Sequence, residues 1–65
     1  MAAPSLAEIE ATVGRMEARY AASPHVPAYQ ALCRRFDADL SDPRDRALAR
    51  SAVLMLLKQL AEEKS

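Results

Sequence analysis

Cys33 and His25 are the pair of side chains in this 65-residue chain most suited to covalent chemistry, a thiol and an imidazole that would make a nucleophile and its base if the fold joined them. Their settings argue otherwise. Cys33 falls on an apolar stripe with Tyr29, Leu32, Phe36 and Leu40, where a thiol packs as a small apolar group. His25 sits in the proline-bounded connection Ser23-Pro24-His25-Val26-Pro27. One cysteine excludes an internal disulfide, and one cysteine with one histidine cannot furnish the four ligands of a structural zinc. The carboxylate pairs Asp37/Asp39 and Glu62/Glu63 stand one or two residues apart, so their members do not share a helix face. A single glycine leaves no material for a phosphate-cradling loop. The sequence therefore assigns no catalytic residue, no metal ligand and no cofactor, and it reads as non-enzymatic.

Two binding motifs are present. Arg44, Arg46 and Arg50 open the third of three proline-free stretches, just after the turn Ser41-Asp42-Pro43, where the reading helix of a helix-turn-helix would begin. Asp37, Asp39, Asp42 and Asp45 share that region and would repel phosphate. Nine basic against nine acidic residues also lack the footprint of a nucleic-acid-binding domain. A helix-turn-helix regulator is thus the alternative reading, and a salt-bridged, solvated face is the simpler one. Pro24-His25-Val26-Pro27 matches a P-x-x-P ligand, but a helix connector explains it equally well.

The elements that hold these residues are helices. Fourteen Ala and eight Leu against one Gly and four Val plus Ile favour helix over strand. Pro4, Pro24, Pro27 and Pro43 divide the single domain, residues 1–65, into three helical stretches. The first is expected over about 6–22, with Ser5 as N-cap and Glu8 completing a capping box. Leu6, Ile9, Val13, Met16 and Tyr20 form its bulky seam, and Ala7, Ala11, Gly14 and Ala18 a stripe of small residues on the other side. The second is expected over about 27–40. The third spans about 43–63, with Asp42 as N-cap, Pro43 at the first helical position and Asp45 in the first turn.

The third helix carries the strongest signal. Its main face is read as Ala49, Ala52, Val53, Leu56, Leu57 and Leu60, with Leu54 and Met55 off that face on opposite sides. Its middle turns are then apolar nearly all round, a pattern that needs partners on every side. A chain this short buries only about 60% of its unfolded surface, and no disulfide or metal supplements its core. The expectation is an all-α three-helix bundle, C-terminal helix central, that dimerises into a larger bundle. Met16, Val53, Leu54, Met55 and Leu57 are the expected interface anchors, so a charge at Leu54 is expected to spare the monomer and break the dimer.

The corresponding function is a small cytoplasmic interaction or assembly module: an accessory subunit, adaptor or regulator acting as a homodimer or on a heterologous protein. The longest apolar run, Ala52 to Leu57, is six residues where a membrane span needs about 20. Met1 to Ser5 does not read as a secretory signal. Lys58 and Lys64 are cancelled by Glu62 and Glu63, which removes the basic polar face of a membrane-surface helix.

Overall fold

The computed structural model describes residues 3–63; Met1, Ala2, Lys64 and Ser65 lie outside that span. The described residues form three α-helices and no strand: α1 Leu6–Arg19, α2 Val26–Asp39 and α3 Pro43–Glu63.

Each boundary has a local cause. Ser5 takes extended backbone (φ −72°, ψ 161°) and its hydroxyl accepts a 3.2 Å hydrogen bond from the Glu8 N–H, satisfying a donor that the first turn leaves open. α1 stops at Arg19, short of the expected 22. Tyr20 leaves helical geometry (φ −103°, ψ 18°), and the Ser23 N–H bonds back to the Tyr20 carbonyl at 2.9 Å. Pro24 then disfavours helical backbone at Ser23, the residue before it. α2 begins at Val26 with Pro27 in its first turn, where the missing N–H costs nothing. Asp42 Oδ1 accepts the Arg44 N–H at 2.8 Å and starts α3 immediately after.

Packing centres on α3. Its backbone approaches both α1 and α2, whereas no Cα of α1 lies within 8 Å of any in α2. Pro4, Glu8 and Ile9 flank the same surface depression as Leu48 and Ser51, while Tyr20 shares another with Leu60 and Ala61. α1 and α3 therefore run in the same direction, and α2 returns between them in sequence. The result is splayed. The Cα extents are 34 × 30 × 16 Å and the radius of gyration is 12.2 Å, against about 10.7 Å for a compact chain of this length.

The core is correspondingly small: Ile9, Val13, Tyr29, Ala47, Leu54 and Leu57, with Leu6, Met16, Cys33 and Val53 packed against it. The seam read for α1 supplies its share of this core. The small stripe of α1, Ala7, Ala11, Gly14 and Ala18, is exposed. α3 differs from expectation. Its inward side runs through Ala47, Arg50, Leu54 and Leu57, and Leu54, 1% exposed, is the most deeply buried side chain. Ala52, Leu56 and Leu60, read as core-facing, are exposed.

Candidate functional site

Two surfaces merit consideration, on opposite sides of α3. The first is the open seam between α1 and α2. Because those helices splay, the seam is a cleft of about 700 Å³ floored by Leu54 and Leu57, with Glu17, Tyr29, Cys33 and Arg34 among its walls. A second hollow of about 220 Å³ continues it toward Pro43 and Asp37, sharing Glu17 and Arg50.

Side-chain links hold the seam at this width. The buried Tyr29 hydroxyl donates to Glu17 Oε2 at 2.7 Å and joins α2 to α1. Burial raises the Tyr29 pKa well above the ordinary phenol value of 10.0, and the hydrogen bond to Glu17 and the neighbouring Cys33 push the same way. The phenol is therefore held protonated as a structural donor. Arg50 Nη2 donates to Asp37 Oδ1 and Oδ2 at 2.9 and 3.0 Å, and Arg46 Nη1 donates to the Leu40 carbonyl at 3.0 Å. Both arginines thus tie α3 to the end of α2. Arg50 Nε is buried without an acceptor among the described residues.

These contacts bear on each candidate from the sequence. Cys33 and His25 are not brought together: Cys33 lines the seam, and His25 lines a separate depression beside Pro24. Arg44, Arg46 and Arg50 do not present one free basic face. Arg46 and Arg50 are engaged within the chain, and Arg44 lies about 160° around the helix from Arg46. Asp37 is the acidic half of an ion pair with Arg50. Among the described residues no group of three or more His, Cys, Asp and Glu is placed to hold a metal ion. Among the described residues no helix is long and apolar enough to cross a membrane.

The second surface is the outer side of α3. Leu48, Met55, Leu56 and Leu60 are all exposed, Met55 at 55% and Leu56 at 58%, with Ala49 and Ala52 between them. On a helical projection they occupy one sector of about 140°, opposite Leu54 and Leu57. Gln59 is the only other residue of that sector between Asp45 and Glu63, so about four turns carry no charge.

The five expected anchors are dispersed by this geometry. Leu54 and Leu57 are core residues of the single chain, and Met16 and Val53 are half-buried against that core. Met55 alone is exposed. A charge at Leu54 would sit in the folding core, so the expectation that the monomer would tolerate it is corrected. Three residues that the sequence reading did not place in an interface, Leu48, Leu56 and Leu60, complete the outer sector. Their signal was present as the spacing 48, 52, 56, 60, four residues apart. Glu17 was also missed, because its partner lies twelve residues away on another helix.

Comparison with known proteins finds no matching family model, no similar curated protein and no similar solved structure.

Proposed function

We propose that this chain is a small non-enzymatic interaction or assembly module of the cytoplasm, an accessory subunit, adaptor or regulator, whose working surface is the outer side of α3. One observation carries the reading. Among the described residues six form the buried core, while four large apolar side chains are exposed together on one uncharged helix face. Contiguous apolar surface of this kind is uncommon on a monomer and marks a place where another surface docks. Splitting the apolar residues so evenly between core and exterior weakens the single chain, and a partner that covers the exterior half restores the balance. The helix-turn-helix alternative is not adopted, because Arg46 and Arg50 are spent on contacts within the chain.

The test is affinity purification from the native host, comparing the wild-type chain with a Leu48→Glu/Leu56→Glu variant. Both positions are exposed in the single chain, so its helix content stays unchanged. The module reading expects a stoichiometric protein, whether a second copy or another chain, to be retained by the wild type and lost by the variant. Identical recoveries from both would remove the outer side of α3 from any role in association.

A further inference from the structure

We draw no further inference here: the strongest candidate, the open cleft between α1 and α2, has a floor of Leu54 and Leu57 already buried within the chain and an Arg50 already paired with Asp37, and nothing in the structure shows what fills it.

Discussion

Leu54→Ala separates the two assignments that α3 admits. Leu54 is 1% exposed and sits among Ile9, Val13, Tyr29, Ala47 and Leu57. The substitution removes three carbons from the core, a transfer loss of about 2.4 kcal/mol at about 0.8 per group. The cavity that remains adds to this, because neighbouring helices relax only partly, and comparable buried sites lose about 3–5 kcal/mol in all. A 65-residue domain has about 3–10 kcal/mol of stability in total, so Leu54→Ala takes a third of it or more. With a urea slope of about 1 kcal/mol per molar, the unfolding midpoint falls by about 3 M or the chain no longer folds. Leu56→Ala, at 58% exposed, is the control and costs the dilute single chain less than about 1 kcal/mol. The assay is urea unfolding followed by circular dichroism at a protein concentration where the mass is that of one chain. Equal midpoint losses at Leu54 and Leu56, or a loss at Leu54 below about 1 kcal/mol, would refute the inward orientation of Leu54.

Three further outcomes follow from the same geometry. Tyr29→Phe removes the hydroxyl that donates to Glu17 and lowers stability at neutral pH by about 1 kcal/mol. It also changes the alkaline limb: the folded phenol pKa is raised above 10.0, so its contribution is complete below pH 10 and is lost as pH rises beyond it. Unfolding free energies from urea titrations between pH 9 and 11 should therefore fall more steeply in the wild type than in Tyr29→Phe, by about 1 kcal/mol at pH 11; parallel slopes would place Tyr29 outside the core. Gly14→Ala should raise the unfolding free energy by about 0.5–1 kcal/mol, since a methyl there meets nothing within 4 Å and glycine is costly inside a helix. A drop instead would mean that the small stripe of α1 is packed against something. Alanine at Arg44, Arg46 and Arg50 together should weaken the attachment of α2 to α3 without removing any affinity for duplex DNA, read by fluorescence anisotropy at low salt. Salt-dependent binding by the wild type that the triple variant loses would reinstate the helix-turn-helix reading.

Composition, four prolines and two polar N-caps are local signals, and they determined the all-helical class, three helices and the boundaries of each to within a few residues. Ser5 and Asp42 act on donors two or three residues away, so the sequence alone locates those starts. The seam of α1 was equally legible, because its large side chains repeat at one helical period and its other faces are small or charged. The inward face of α3 was not. Val53 to Leu57 is apolar without interruption, and a pattern that is apolar all round has no preferred direction. Only the positions of α1 and α2 chose Leu54 and Leu57 for the core and left Leu48, Met55, Leu56 and Leu60 outside. The same holds for Tyr29 with Glu17 and for Arg50 with Asp37, pairs twelve and thirteen residues apart on different helices. Such contacts have no period along the chain; they arise when helices splay by a particular amount, which is a property of packing and not of sequence spacing.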